Sequence, residues 1–194
     1  MLKELFRQAL DDFQAAATAS LTQIDLLVAT GRMMAQSLTD GGVIYICGNG
    51  GSAAESQHLA AELVGRFLMK RPGLAAIALT ADTSKLTAIG NDYGYEEVFA
   101  RQLEALGRPG DVLWVLSTSG KSPNVLKALQ TAKSKGLKTV FMCGPKVMDP
   151  MAADYIIPAP GATTPRVQEM HLFYGHFLCQ IVERLIFAGP EKSM

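Results

Sequence analysis

The residues whose types and spacing are best suited to chemistry are a histidine and a glutamate four positions apart, His58 and Glu62. On a helix, side chains four residues apart lie on one face, so the imidazole and the carboxylate would point the same way. Zinc accepts both kinds of ligand. The pair therefore predicts part of a metal site on a helix.

A glycine-rich segment, Gly48-Asn-Gly-Gly-Ser52, precedes this helix. It follows an apolar run over residues 43–47 that is typical of a buried strand. Glycines let the backbone turn sharply and approach a ligand closely. Ser52 has the residue type of an N-cap, and we predict a helix over residues 53–68. A strand, a glycine turn and the start of a helix make a site whose N–H groups suit an anion.

A second turn of the same kind follows the apolar strand 111–117. Its residues are Ser117, Thr118, Ser119, Gly120, Lys121 and Ser122. Ser122-Pro123 predicts a helix start, with serine as N-cap and proline at the first helical position. Hydroxyls and free N–H groups at the carboxyl end of a strand can wrap a phosphate monoester. Taken alone, the segment is as typical of an ordinary serine-rich turn with a helix cap.

The two turns and the His58-x-x-x-Glu62 pair resemble the sugar isomerase (SIS) domain and, within it, the phosphoheptose isomerases. The resemblance runs in order over nearly the whole chain. It implies one zinc ion per site, held by His58, Glu62, Gln168 and His176. It further implies a sugar-phosphate site lined by Asn49, Gly50, Gly51, Ser52, Glu62, Asn91, Asp92, Ser117, Thr118, Ser119, Ser122 and Gln168.

Several of these residues also have simpler interpretations. His176 could be an ordinary helix histidine and Gln168 a polar residue at a helix start, while Asn91-Asp92 is typical of a turn. His171 is a spare candidate ligand. The role of Lys121 stays open between a cation for the phosphate and a solvent-facing side chain.

The spacing of the last two implied ligands limits the geometry. Eight helical residues rise about 12 Å, which is near the limit that two side chains can span to one ion. Either Gln168 lies in an irregular first turn, or the site combines residues from different subunits. Glu55 and Glu169 are typical of solvent or salt-bridge positions.

The reaction that the resemblance implies is the isomerisation of sedoheptulose 7-phosphate to D-glycero-D-manno-heptose 7-phosphate, the first step of ADP-heptose biosynthesis for lipopolysaccharide. One carboxylate can move a proton between neighbouring carbons through an enediol, and Glu62 is our candidate. His176 is the candidate for ring opening and proton movement between oxygens, and zinc would polarise the oxygens. The alternative is a tetrameric adaptor without catalysis that binds the replication initiator protein.

The elements that must position these residues predict a three-layer αβα sandwich around a five-stranded parallel sheet, in one domain spanning residues 1–194. The predicted strands are 43–47, 75–80, 111–117, 139–143 and 154–158, and the predicted helices are 53–68, 96–106, 123–135 and 166–187. We expect a helical turn at 84–89, a loop at 91–94, and at most one helical turn in the connection that contains Pro145, Pro150 and Met151.

An N-terminal arm precedes the first strand. Residues 2–38 carry helical periodicity, which predicts two helices with a break near Ser20. The resemblance implies that this arm packs against neighbouring subunits in a homotetramer.

Composition excludes several classes of function. The 18 basic and 18 acidic residues balance, which argues against a general nucleic-acid or membrane-surface binder. No apolar run approaches the length of a membrane span, and the N-terminus lacks the apolar core of a signal peptide. Three scattered cysteines, Cys47, Cys143 and Cys179, fit small core residues in a reducing cytoplasm.

Overall fold

Five parallel strands form one sheet in the computed structural model, which describes residues 1–147 and 153–188. The strand order is β2-β1-β3-β4-β5, and every neighbouring pair is parallel. The strands are β1 (Ile44–Gly48), β2 (Ala76–Ala78), β3 (Val112–Ser117), β4 (Lys138–Cys143) and β5 (Tyr155–Pro158). The five-stranded parallel sheet predicted from the sequence is therefore confirmed.

Helices cover both faces of this sheet. They are α1 (Leu2–Ala19), α2 (Ile24–Thr39), α3 (Gly51–Val64), α4 (Thr83–Tyr93), α5 (Ala100–Leu106), α6 (Pro123–Ser134) and α7 (Thr164–Phe187). A 3-10 turn, Ser20–Gln23, separates α1 from α2, so the predicted break near Ser20 is confirmed. Pro123 begins α6 directly after Ser122, as the sequence predicts.

The alternation of side chains along the strands divides the core into two layers. On one face, Ile46 and Trp114 pack with residues of α2, α3 and α7 such as Leu63. On the other face, Cys47 and Val115 pack with residues of α5 and α6. Because α3 and α7 both begin at the carboxyl edge of a parallel sheet and share one face, they lie side by side in the same direction.

Side-chain hydrogen bonds join the N-terminal arm to α7. The hydroxyl of Tyr174 donates to Ser20 Oγ at 2.8 Å, and Arg166 donates to the carbonyl of Ala9 at 2.9 Å. The side chains at the start of α1 are nevertheless exposed, and Leu2 and Phe6 keep 75% and 70% of their surface accessible. The arm therefore presents an apolar surface that the described residues of its own chain leave uncovered.

The predicted bounds of α3 are wrong at both ends. The helix begins at Gly51, not after Ser52, because Gly50 is its N-cap with φ +58°, a conformation that favours glycine. Ser52 instead lies buried inside the first turn. The helix ends at Val64 rather than at residue 68, because the backbone N–H groups of residues 67–69 bind a carboxylate of α7, described below.

The helical turn predicted at 84–89 is confirmed as part of a longer helix, whereas two other predictions between β2 and β3 fail. The loop expected at 91–94 is helical up to Tyr93, because residues 83–93 form the single helix α4. The Asp82 carboxylate starts this helix by accepting from the backbone N–H of Lys85 at 3.0 Å. Gly94, with φ +94°, ends this helix. The predicted helix 96–106 is split into a 3-10 turn, Tyr95–Glu97, and α5.

The remaining predictions concern the connection between β4 and β5, membrane-spanning segments and the three cysteines. The connection predicted around Pro150 and Met151 lies outside the described residues. Within the described ranges, the helices are too short or too polar to cross a membrane. Cys47, Cys143 and Cys179 are free and buried, as small core residues would be.

Candidate active site

Three of the predicted ligands meet between α3 and α7. The Nε2 atoms of His58 and His176 lie 2.8 Å apart, and His58 Nε2 lies 3.6 Å from Glu62 Oε1. One ligand atom from each residue lies within 4.8 Å of the other two. We call His58, Glu62 and His176 the triad.

Local helix geometry explains this meeting. His58 and Glu62 are one turn apart on α3, so they share a face, and α7 brings His176 alongside them. The imidazoles meet edge to face, with ring centroids 5.0 Å apart. The ring of Phe67 stacks on the other side of His176, at 5.2 Å and 22°.

The donor set of the triad fits a divalent metal. Two imidazole nitrogens and a carboxylate oxygen are the ligand types that zinc takes, and here all three converge on one point. The pKa of His176 is lowered, first by burial and then by His58 nearby, although Glu62 raises it. A lowered pKa favours the neutral imidazole, the form that binds a metal.

A second part of the site is a cavity of about 280 Å³ at the carboxyl edge of the sheet. Its lining residues are Asn49, Gly50, Gly51, Ser52, Leu116, Ser117, Thr118, Ser119, Ser122, Thr164 and Gln168. We call this cavity the cradle. It forms because β1 and β3 are neighbours, with Gly48 opposite Leu116, so the two turns that follow them meet. Its lining offers hydroxyl, amide and backbone groups without a formal charge.

A pair of amides joins the two turns of the cradle. Asn49 Nδ2 donates to Asn124 Oδ1 at 2.9 Å, and Asn124 Nδ2 donates back to Asn49 Oδ1 at 2.9 Å. Asn124 is buried and also accepts the backbone N–H of Val125. Asn124 therefore fixes the first turn against α6. It was not predicted as a site residue, because a lone asparagine near a helix start carries no distinctive signal.

Gln168 lies in the cradle, close to Gly51. A Cβ atom added at Gly51 would lie 2.5 Å from Gln168 Nε2, so this glycine leaves room for the amide. The suggestion of an irregular first turn is wrong, because α7 begins at Thr164 and Gln168 lies within the regular helix. Thr164, which lines the cradle beside Gln168, was missed because a threonine at a helix start has no signal beyond capping.

The other predicted residues lie elsewhere. Asn91 and Asp92 are exposed on α4, where Asn91 Nδ2 donates to Asp92 Oδ1 at 2.8 Å. They stand in a helix rather than in the predicted turn, and they lie outside the lining of the cradle. Lys121 is exposed. His171 is fully buried and is not part of the triad, and burial lowers its pKa to about 4, against the raising effect of the Cys143 carbonyl.

Two glutamates that we expected in solvent or in salt bridges are partly buried. Glu169 pairs with Arg166 at 2.6 Å, as a salt-bridge residue would. Glu55 lies on α3 between Gly51 and His58, and burial raises its pKa to about 7, against the lowering effect of the Ser52 hydroxyl. The expectation of an ordinary solvent-facing carboxylate at Glu55 is therefore wrong.

Comparison with known proteins agrees with this geometry. Residues 8–144 match the family model described as the SIS domain. A phosphoheptose isomerase of Nitratidesulfovibrio vulgaris is 53% identical over 165 residues, which are 84% of this chain and 79% of that protein. One from Helicobacter pylori is 48% identical over 187 residues, covering 95% of this chain and 97% of that protein.

A solved structure shows the same fold. The phosphoheptose isomerase of Neisseria gonorrhoeae superposes with a TM-score of 0.89 at 38% identity, covering 95% of this chain and all of that chain. The match spans the sheet, the helices and the N-terminal arm together. The chain belongs to the phosphoheptose isomerases of the SIS domain family.

Proposed function

We propose that this chain converts sedoheptulose 7-phosphate to D-glycero-D-manno-heptose 7-phosphate in the cytoplasm. Two observations carry the proposal: a carboxylate and two imidazoles converge in the triad, and a hydroxyl-lined cavity lies at the carboxyl edge of the sheet. The names of the relatives support the substrate. The three buried free thiols support a reducing compartment.

The cradle is suited to the phosphate group of the substrate. Ser117, Ser119 and Ser122 offer hydroxyl donors, and the turns meet the starts of α3 and α6, where backbone N–H groups favour an anion. An uncharged lining binds a phosphate through directed hydrogen bonds. The remaining hydroxyls of the sugar then extend from the cavity toward the triad.

Glu62 is the proposed base. Aldose–ketose isomerisation removes a proton from the carbon next to the carbonyl and returns it to the neighbouring carbon, and one carboxylate can do both through an enediol. Glu62 is partly buried, which limits competition by water for that proton. His176 is proposed to move protons between the sugar oxygens and to open the ring.

We propose that the triad holds one zinc ion when the enzyme is active, which supplies charge stabilisation at the substrate oxygens. His58 and His176 would hold it through Nε2, since these two atoms already face each other. Glu62 would also be able to hold the ion, and its carboxylate can serve as base only while it is free of the ion.

Gln168 is proposed as a fourth ligand, supplied by a second copy of the chain. On the regular helix α7, Gln168 lies eight residues from His176, a rise of about 12 Å. Gln168 lies against Gly51 in the cradle of its own chain. When Gln168 of a neighbouring copy binds the metal, the cradle of that copy therefore lies close to the triad. The active site is then shared, and the uncovered apolar surface of α1 supports a homotetramer held by the arms.

The adaptor alternative is less well supported. An adaptor needs the fold and the arm, but it has no use for two imidazoles and a carboxylate within 4.8 Å of one another. The two relatives described above carry the isomerase name at 53% and 48% identity, which also favours catalysis.

The test is elemental analysis of the purified protein together with an assay on sedoheptulose 7-phosphate, with and without a chelator. We expect bound zinc, turnover, and loss of turnover after chelation. Protein that contains no metal and shows no turnover would favour the adaptor.

A mixing experiment tests the shared site. Glu62→Gln and Gly51→Ala variants, each impaired alone, are refolded together into mixed oligomers. Recovery of activity beyond the sum of the two supports a site built from two copies, whereas no recovery places cradle and triad in one chain.

A further inference from the structure

A buried carboxylate lies two turns beyond His176 on α7. Glu183 accepts from the backbone N–H groups of Phe67 and Leu68 at 2.8 Å and of Met69 at 3.0 Å. It also accepts from Arg71 Nε at 2.9 Å. Burial by itself would raise the pKa of Glu183, but these hydrogen bonds outweigh it and the pKa is lowered. Glu183 is therefore an anion around which the segment 67–71 folds.

Arg71 connects this anion to the end of α3. Its guanidinium donates to the carbonyl oxygens of Glu62 at 2.8 Å and of Leu63 at 2.7 Å. The side chains of Arg71 and Glu183 are each only 1% exposed. Helix carbonyls at a carboxyl terminus lack partners within the helix, so Arg71 closes α3 at the residue that carries the proposed base.

The same contacts determine what lies over His176. The backbone N–H of Phe67 donates to Glu183, and the ring of Phe67 stacks on His176 with ring centroids 5.2 Å apart. Glu183 itself belongs to the helix that carries His176. One carboxylate thus joins both helices of the triad and fixes the ring that packs on its histidine.

We propose that Glu183 is a positioning residue for the triad. Through its contacts with Phe67 and Arg71, it aligns the imidazole of His176 and the end of α3 before a metal binds. The inference rests on the proposed metal-dependent function, although it concerns only residues of this chain. An ordinary structural ion pair would stabilise the fold without changing metal affinity, so the two roles are separable.

The experiment measures metal binding directly, by titrating the metal-free protein with Co²⁺ and following its visible absorption. Glu183→Gln keeps the shape of the side chain but removes its charge. We expect it to weaken Co²⁺ binding at least tenfold and to alter the absorption bands. Phe67→Leu keeps the backbone N–H on Glu183 and removes only the stacked ring, and we expect a severalfold weaker binding with little change in melting temperature.

Asp111→Asn is the matched control. Asp111 is also a buried carboxylate that accepts backbone N–H groups, those of Val43 and Arg108 at 2.8 Å, but it lies directly before β3 and outside the triad. We expect a lower melting temperature and unchanged Co²⁺ binding in this variant. If Glu183→Gln does not fold, Co²⁺ binding by Phe67→Leu still tests whether the contacts made by Glu183 align the triad.

The outcomes separate this inference from the proposed function. If the unaltered protein binds Co²⁺ and both the Phe67 and Glu183 variants bind it equally well, the positioning role is overturned while the metal site stands. If Asp111→Asn weakens binding as much as Glu183→Gln, the effect is general destabilisation and the inference is also overturned. If the unaltered protein binds no Co²⁺, the proposed metal site fails and the inference with it.

Discussion

Two adjacent glycines at the start of α3 are expected to fail in opposite ways when each is replaced by alanine. At Gly51 a Cβ would lie 2.5 Å from Gln168 Nε2, well inside the 3.4–4 Å of ordinary contact. At Gly50 a Cβ would meet no atom within 4 Å, but φ is +58°, where an L side chain is strained. Gly51→Ala therefore tests the cradle, and Gly50→Ala tests the backbone.

The magnitudes follow from these contacts. In Gly51→Ala the Gln168 amide must move by roughly 1 Å to regain van der Waals distance. Losing a hydrogen bond from that amide to a charged ligand costs about 1.5–3 kcal/mol, so we expect KM for sedoheptulose 7-phosphate to rise roughly 10- to 100-fold. Stability should change little, since alanine is the better helix former by up to about 1 kcal/mol.

Gly50→Ala should show the reverse balance between stability and binding. Holding alanine in a sparsely populated backbone region costs about 1–3 kcal/mol. For a chain of this size that cost corresponds to a fall in melting temperature of about 2–4 °C for each kcal/mol. Activity should fall together with stability. Because the turn can relax around the alanine, we expect KM to rise less than in Gly51→Ala.

Steady-state kinetics and thermal unfolding of the two variants check this contrast. A Gly51→Ala enzyme with unchanged KM would show that Gln168 does not contact the substrate. A Gly51→Ala protein that loses more stability than Gly50→Ala would show that the clash is relieved by moving the helix rather than the amide.

Three further predictions concern the proposed base, a buried histidine and a partly buried glutamate. Glu62→Gln should abolish exchange of the C1 and C2 protons with solvent, measured by NMR in D₂O, while the sugar phosphate still binds; retained exchange would assign the base elsewhere. His171 has its pKa lowered to about 4 from 6.5, so the unfolded chain takes up a proton that the folded chain refuses. The free energy of unfolding should therefore fall by about 3 kcal/mol because of this group as the pH drops from 6.5 to 4. In urea unfolding over this pH range, His171→Leu should lose that part of the pH dependence. If the stability of the variant and of the unaltered protein changes with pH in parallel, the burial argument is contradicted. Glu55 has its pKa raised from 4.5 to about 7, so its folded form keeps a proton that the unfolded form loses, and stability should decline as the pH rises through that window. Glu55→Gln should flatten the decline in the same urea series, and an unchanged slope would show that the carboxylate is solvated.

The strands and the serine-rich turn were predictable because their signals are local. The apolar run before Ser117 is buried on both faces of the sheet, and Ser122-Pro123 starts α6 as expected. The spacing of His58 and Glu62 was equally informative, because helical periodicity fixes their common face whatever surrounds the helix.

One failure arose where a distant group competed with a local preference, and another where helix caps overrode the turn propensity of the residues between them. The helix predicted to run to residue 68 stops at Val64 because the Glu183 carboxylate, more than a hundred residues later, takes the N–H groups of residues 67–69. Asn91 and Asp92 have turn propensity, yet they continue α4, which the Asp82 carboxylate starts and Gly94 ends.

The sequence by itself determined which side chains are available and which of them share a helix face, because those properties depend on residue type and on the 3.6-residue period of the helix. Tertiary structure alone decided that His176 faces His58, that Asn124 holds Asn49, and that Gln168 enters the cradle. Contacts between distant segments depend on strand order and on the packing of α3 against α7, and no local pattern of residues encodes those distances.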